Sequence, residues 1–251
     1  MKRLGLACAT ALAVLSAPGA AQQRSPRAYA NPSAVIAAEL GFSQLAQDKG
    51  QWTAFRETAA PEAEMFVPRR VNALVWLKNR ANPPVPVRWQ PHEVWMSCDG
   101  SSAVTRGAWQ GRNGTGYFTT VWQRQPKRGD FRWVLDQGDN LDKPLVAPDM
   151  IVAKVADCPP RGPGGERPTA GGPPPKRKAN ALPPERPLPA PLPATGAASD
   201  ADSKDGRSRD GTLAWRSSVN PDGARRVTAW LWLDGGWREV LDSRVAAPTA
   251  P

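Results

Sequence analysis

Residues 87–139 alternate regularly between apolar runs and turn signals, and this stretch limits the chain to folds built on an antiparallel sheet. Asp99-Gly100 and Asn113-Gly114 separate apolar runs, and such pairs indicate hairpins because both residue types tolerate positive φ. The runs are rich in Val, Trp, Phe and Thr, which fit a pleated, half-buried surface. We therefore predict a four-stranded meander over residues 87–98, 102–110, 116–125 and 131–139.

The residues before the meander predict helices. Pro32 is placed for a first helical position, and apolar residues then recur at helical spacing until Gly50. A short second helix, a short strand over 64–67 and a third helix over 73–80 follow. Helices on one face of a curved antiparallel sheet make an α+β fold, often cone-shaped, with a natural pocket at its open end. We assign this cone-fold domain to residues 31–158.

The first 21 residues predict export. Lys2 and Arg3 precede an apolar run too short to span a bilayer, and small residues follow up to Ala21. We interpret this as a secretory signal cleaved near Ala21, which predicts a periplasmic or secreted protein with no membrane attachment after cleavage. The alternatives are an uncleaved anchor or a buried helix.

The mature chain keeps two cysteines, Cys98 and Cys158. An oxidising compartment permits a disulfide between them, and two free thiols are the alternative. Two cysteines and one histidine do not favour a zinc site, so we predict no metal. No phosphate loop or hydrolase motif occurs, and we predict no cofactor.

The net charge is +10, but it is spread along the chain, and the densest basic run covers only residues 176–178. A diffuse excess does not make a nucleic-acid groove, so no nucleic-acid partner is expected.

The C-terminal part predicts a linker and a second group of strands. Residues 159–210 are rich in Pro, then in Ala, Ser and Asp, a composition typical of a disordered tether. Residues 211–246 read as a β-hairpin or meander. Because so few residues cannot build an independent core, we predict that this piece packs on the main sheet, in its own chain or in a partner.

Several local runs match those of a known superfamily. They are residues 42–50 with Trp52 and Phe55, 60–63 with 66–68, 116–118 with 121–122, and 133–136. These runs resemble the nuclear-transport-factor-two-like superfamily, most closely its SnoaL-like, ketosteroid-isomerase-like bacterial branch with exported members of unassigned function. The likeness covers about residues 33–139. The superfamily includes isomerases, cyclases, dehydratases and non-enzymatic binders, so the resemblance implies the cone fold and leaves the function open.

Two residues are candidates for proton transfer. Asp136 follows an apolar run, and a carboxylate facing a dry cone would have a raised pKa and could act as a general base. His92 lies on a predicted strand, where alternation places it on the face of Gln90 and Val94. The alternatives are an exposed or hydrogen-bonded aspartate and an ordinary strand histidine.

The candidate pocket walls are aromatic side chains, and core packing is the alternative role for them. They are Trp52, Phe66, Trp76, Trp89 and Trp95.

The sequence leaves two functions open. The first is an exported cone-fold protein that binds a small apolar molecule or a partner in the sheet–helix pocket. The second is a proton-transfer enzyme of the isomerase or cyclase type with Asp136 as base. Homodimerisation through the sheet is compatible with both.

Overall fold

The computed structural model describes residues 30–158, 191–196 and 198–248. The predicted signal segment and residues 159–190 of the predicted linker lie outside this range. Within the described residues, no helix combines the length and the hydropathy needed to cross a membrane.

Three helices form as predicted. Helix α1 (Pro32–Lys49) begins on its proline and ends at Gly50, whose φ of 94° is accessible to glycine. Helix α2 (Gln51–Thr58) follows at once. Helix α3 (Ala73–Leu77) is capped by the Asn72 side chain, which accepts a hydrogen bond from Val75 N at 3.0 Å, and it is shorter than predicted.

The main sheet has seven strands in the order β2-β1-β6-β5-β4-β3-β7. The predicted meander is present as four consecutive antiparallel strands, but the sheet is mixed, because β1 pairs parallel with β6 and β7 pairs parallel with β3. The two parallel pairs join segments far apart in sequence, which local turn signals cannot reveal. The strands are β1 (Ala59–Phe66), β2 (Arg70–Asn72), β3 (Arg88–Met96), β4 (Ser102–Gly111), β5 (Gly114–Arg124), β6 (Phe131–Leu141) and β7 (Val152–Val155).

A second sheet of four antiparallel strands has the order β11-β10-β9-β8. Its first strand lies inside the segment predicted to be disordered, so the linker prediction is wrong there. That strand is an exposed, charged edge held by backbone pairing with β9, and it therefore lacks the apolar pattern of a strand. The strands are β8 (Asp202–Arg207), β9 (Leu213–Val219), β10 (Arg225–Leu233) and β11 (Gly236–Val245).

Residues 191–196 also contact the second sheet. Arg216 Nη1 donates to the Pro193 carbonyl at 3.2 Å, and Arg226 donates to the Thr195 carbonyl. Part of the predicted tether is therefore held against β9 and β10.

The second sheet packs on the outer face of the main sheet, opposite the helices. Trp95, Val104, Val121 and Leu135 of the main sheet form one buried cluster with apolar residues of the second sheet, and these are Leu213, Trp215, Val227, Ala229, Leu231, Leu233 and Leu241. The strands of each sheet thus contribute one apolar row to a shared core.

Arg70 links the two sheets at one side of this interface through hydrogen bonds and ion pairs. Its guanidinium donates to Glu64 Oε2 at 2.8 Å, to Asp202 Oδ2 at 2.9 Å and to Ser217 Oγ at 2.8 Å. The side chain is only 6% exposed, so these contacts satisfy a buried charge across two sheets.

A disulfide between Cys98 and Cys158 lies at the other side of the interface between the sheets. Cys98 N donates to Thr212 Oγ1 at 2.9 Å, and Asp157 N donates to the Trp232 carbonyl at 2.9 Å. The bridge therefore lies where the second sheet meets the main one. It closes a loop spanning 60 positions, which in the chain-entropy model contributes about 4 kcal/mol.

Candidate functional site

Aromatic rings fill the space between the helices and the main sheet. Phe42 makes edge-to-face contacts with Phe55, Trp89 and Trp122 at centroid distances of 4.7, 4.7 and 6.0 Å. Phe55 contacts Trp133 in the same way at 5.7 Å. The sequence predicts a hollow pocket in this region, but the structure fills much of it with a packed core.

The five predicted pocket walls do not converge on one cavity. Trp89 is buried in the aromatic core, while Trp52 and Trp76 pack on its edge with their ring centroids 5.6 Å apart. Phe66 and Trp95 lie on the opposite face of the sheet, in the interface with the second sheet. Strand alternation separates Trp95 from Val94, which belongs to the aromatic core.

His92 does not follow the predicted alternation. The pairing of β3 with β4 shifts register between Pro91 and Glu93, so His92 is the extra residue of a bulge. Proline has no N–H to give to the ladder, which favours a bulge at this point. Burial lowers the pKa of His92, the Glu93 charge opposes this, and the Arg106 charge adds to it.

The polar centre of the core is Glu39, which sequence reasoning missed. Trp89 Nε1 donates to Oε1 at 2.8 Å, while Trp122 Nε1 and Thr105 Oγ1 donate to Oε2 at 2.8 and 2.6 Å. Glu39 is fully buried, and the loss of solvation raises its pKa against these hydrogen bonds. The sequence feature that indicates a buried Glu39 is its position on the apolar stripe of α1, between Val35 and Phe42.

Asp136 faces the same interior from β6. Its Oδ2 accepts a hydrogen bond from Thr120 Oγ1 at 2.8 Å, and Met65 lies opposite on β1. Burial raises the pKa of Asp136 to about 7, Thr120 opposes the rise and the Glu39 charge adds to it. The residue as a whole is half-buried, while its carboxyl lies deep in the protein.

The predicted pairing of Asp136 with His92 therefore finds no support in these contacts. The acidic group that acts on Asp136 is Glu39 of α1, whereas the charges that act on His92 belong to Glu93 and Arg106. Glu39 enters the interior from α1 and Asp136 enters it from β6, so the two buried carboxyls come from opposite sides of the core.

A groove of about 590 Å³ opens on the surface between α1 and the beginning of β3. Its lining combines apolar side chains with amides and one guanidinium, the mixture found in small-molecule sites. Its wall includes Trp89, the one predicted pocket residue that lines it. The lining residues are Leu40, Gly41, Ser43, Gln44, Gln47, Arg88, Trp89 and Gln90.

Potential metal ligands do not gather in the part of the chain that the structure describes, where no group of three or more His, Cys, Asp or Glu side chains could hold an ion.

Comparisons with known proteins assign neither a family nor a function to this chain. No family model matches the chain, and no curated protein matches it. Among solved structures, an NTF-2-like protein of unknown function from Shewanella oneidensis MR-1 is similar at 16% identity and a TM-score of 0.35. The alignment covers 43% of this chain and 98% of that one.

A second solved structure is a protein provisionally described as a Ca/calmodulin-dependent kinase II association domain from Exiguobacterium sibiricum 255-15. It is 12% identical with a TM-score of 0.31, and the alignment covers 44% of this chain and 91% of that one. At such identities and TM-scores these likenesses say nothing about ligand or reaction, so the function has to be argued from the residues above.

Proposed function

We propose that this is an exported protein that binds a small molecule in the groove between α1 and β3. The observation that carries the proposal is Gly41, a glycine inside a long helix that lies on the groove. A Cβ at this position would meet nothing within 4 Å, so the helix leaves open space where a side chain could stand. Glycine in a helix interior costs about 1 kcal/mol relative to alanine.

The groove offers both kinds of contact that a small ligand needs. Leu40 is 44% exposed and Trp89 supplies an aromatic wall, so an apolar body can pack there. Gln44 and Arg88 add hydrogen-bonding groups at the same site. The expected ligand is a small molecule with an apolar body and one polar or anionic end.

The predicted signal segment supports export, and the disulfide between Cys98 and Cys158 is compatible with an oxidising compartment. Native mass spectrometry of the protein purified from its export compartment tests both points, because it reports the processed mass and any carried ligand.

Filling the groove should remove ligand binding without harming the fold. Gly41→Leu places a side chain in the open space and replaces a poor helix former, so its melting temperature should equal or exceed that of the wild type. The carried ligand seen by native mass spectrometry should be lost.

Ala37→Leu is the matched control, since Ala37 is exposed on the same helix and does not line the groove. Ligand retained by Gly41→Leu, or absent from the wild type as well, would contradict binding in this groove.

A second function, proton transfer, is favoured by the pKa of about 7 at Asp136. A carboxyl with such a pKa can accept and return a proton near neutrality, and Thr120 holds it in one orientation. The reaction class would be abstraction of a proton next to a carbonyl.

This second function predicts deuterium uptake from heavy water by simple ketones, faster with the wild-type chain than in buffer. Asp136→Asn should abolish the acceleration, because the amide cannot act as a base. Asp142→Asn, at an exposed loop position, should keep it. Exchange at the buffer rate with the wild type would exclude this activity for the ketones tested.

A further inference from the structure

The polar part of the interface between the two sheets holds two arginines from opposite sides. Arg106 belongs to β4 of the main sheet, and its guanidinium lies 5.7 Å from the centroid of the Tyr117 ring. Arg225 belongs to β10 of the second sheet and lies 5.9 Å from the centroid of Phe66 on the main sheet. Tyr117 itself reaches across, since its hydroxyl donates to the Arg244 carbonyl at 2.5 Å.

Neither guanidinium forms an ion pair with a carboxylate in the described part of the chain. The Nε atoms of both Arg106 and Arg225 are buried without a hydrogen-bond partner. Glu93 lies opposite Arg106 in the β3–β4 register, but no ion pair forms between them. Asp139 acts on Arg225 through its charge alone, and its Oδ1 accepts from Asn140 N at 2.8 Å.

A third unpaired group lies in the same region. Gln137 is 4% exposed, and its Nε2 donates to the carbonyl and hydroxyl of Ser243 on the second sheet. Its Oε1 is buried with no partner. Gln137 is in register with Thr119, and Thr119 is in register with Arg106. Gln137 and Arg106 therefore lie in one row across three neighbouring strands. Folded proteins leave few buried polar atoms unpaired, and a group of such atoms in one place calls for a partner such as a bound ion or water.

The strand register brings both arginines to the same row. Met65 is opposite Asp136, so Phe66, which Arg225 contacts, lies beside Gln137, and Gln137 shares its row with Arg106. Burial raises the pKa of Tyr117; its hydrogen bond with Ser243 and the charges of Arg106 and Arg225 oppose that rise, and the Asp139 charge adds to it. Guanidinium groups bind carboxylate and phosphate oxygens in a paired geometry, which makes an oxyanion the natural partner.

We propose that Arg106 and Arg225 bind a small oxyanion between the two sheets, beside Tyr117. The anion supplies acceptors to the unpaired Nε atoms of the two arginines, and a protonated oxygen of the anion can donate to Gln137 Oε1. Because one arginine belongs to each sheet, the bound anion also strengthens the contact between the sheets. Inorganic phosphate and succinate represent the two chemical sources, a phosphate and a carboxylate.

The test is thermal unfolding of the full mature chain during titration with inorganic phosphate, and separately with succinate, against sodium chloride at equal ionic strength. A saturable rise in melting temperature is expected with at least one of them. In Arg106→Gln and in Arg225→Gln the half-saturating concentration should rise about tenfold or more, the effect of losing one charge-assisted hydrogen bond.

Arg112→Gln is the matched control, because it removes the same charge from an exposed hairpin residue and should titrate like the wild type. Equal responses in all four proteins, or no saturable response to either anion, would overturn the proposal. If either variant fails to fold, the Nε–H resonances of the wild type provide the second readout. Two of them should shift with the same half-saturating concentration, and no shift would overturn the site.

Discussion

A mature chain that ends at Cys158 should lose most of its stability, because the second sheet covers an apolar row of the main sheet. Trp95, Val104, Val121 and Leu135 would become exposed together. Burying one such side chain stabilises a protein by about 1.5–3 kcal/mol, so four approach the whole stability of a typical domain, about 5–15 kcal/mol. The deletion also removes Asp202 and Ser217 from the guanidinium of Arg70.

The measurement is the thermal unfolding of the shortened chain by circular dichroism, with binding of a hydrophobic dye at room temperature. We expect a melting temperature lowered by tens of degrees, or no cooperative transition, together with strong dye binding. A chain that ends at residue 246 keeps all four strands of the second sheet and is the control. An unchanged melting temperature and unchanged solubility would show that the sheets do not stabilise each other.

Asp136→Asn should make stability less dependent on pH. A carboxyl whose folded pKa is raised binds its proton more tightly in the folded state, so its favourable effect is complete below the unfolded pKa and disappears as pH rises. With a pKa of about 7 against the ordinary 3.8, the loss between pH 4 and pH 8 is at most about 4 kcal/mol. Burial also raises the pKa of Glu39, so its ionisation lowers stability in the same way as the pH rises.

Urea unfolding of wild type and Asp136→Asn at pH 4.5 and pH 8 measures this effect. The wild type should lose up to about 3 kcal/mol of unfolding free energy between pH 4.5 and pH 8 that the variant does not lose, since the amide of the variant stays neutral. Asp142→Asn, at an exposed position, should follow the wild type. Parallel pH profiles for wild type and Asp136→Asn would show that Asp136 ionises normally.

The sequence predicts the helices and the meander because their signals are local. Pro32 and Gly50 mark the ends of α1, and Asp-Gly and Asn-Gly mark hairpins. The same reasoning does not detect strand β8, because its charged residues carry no apolar pattern and its conformation depends on backbone pairing with β9 and on ion pairs with residues distant in sequence. The parallel pairs of β1 and β7 depend on contacts distant in sequence, which composition and spacing do not encode.

The site was harder to predict than the fold. Asp136 was identified because it follows an apolar run, but its partner Glu39 belongs to a helix almost a hundred positions earlier. A single inserted residue at the β3 bulge changes which face His92 occupies, and sequence alternation cannot show such an insertion. The burial of the unpaired Nε atoms of Arg106 and Arg225 requires both sheets to be in place, so no local pattern indicates it.

The outer face of the main sheet is occupied by the chain's own second sheet, and this has a consequence for self-association. Two copies could meet through that face only if each released its C-terminal strands, and the released strands could then settle on the neighbouring copy. Such a dimer would be domain-swapped. Its formation would be slow, and it would be promoted by conditions that break the Arg70 contacts or reduce the Cys98–Cys158 bridge.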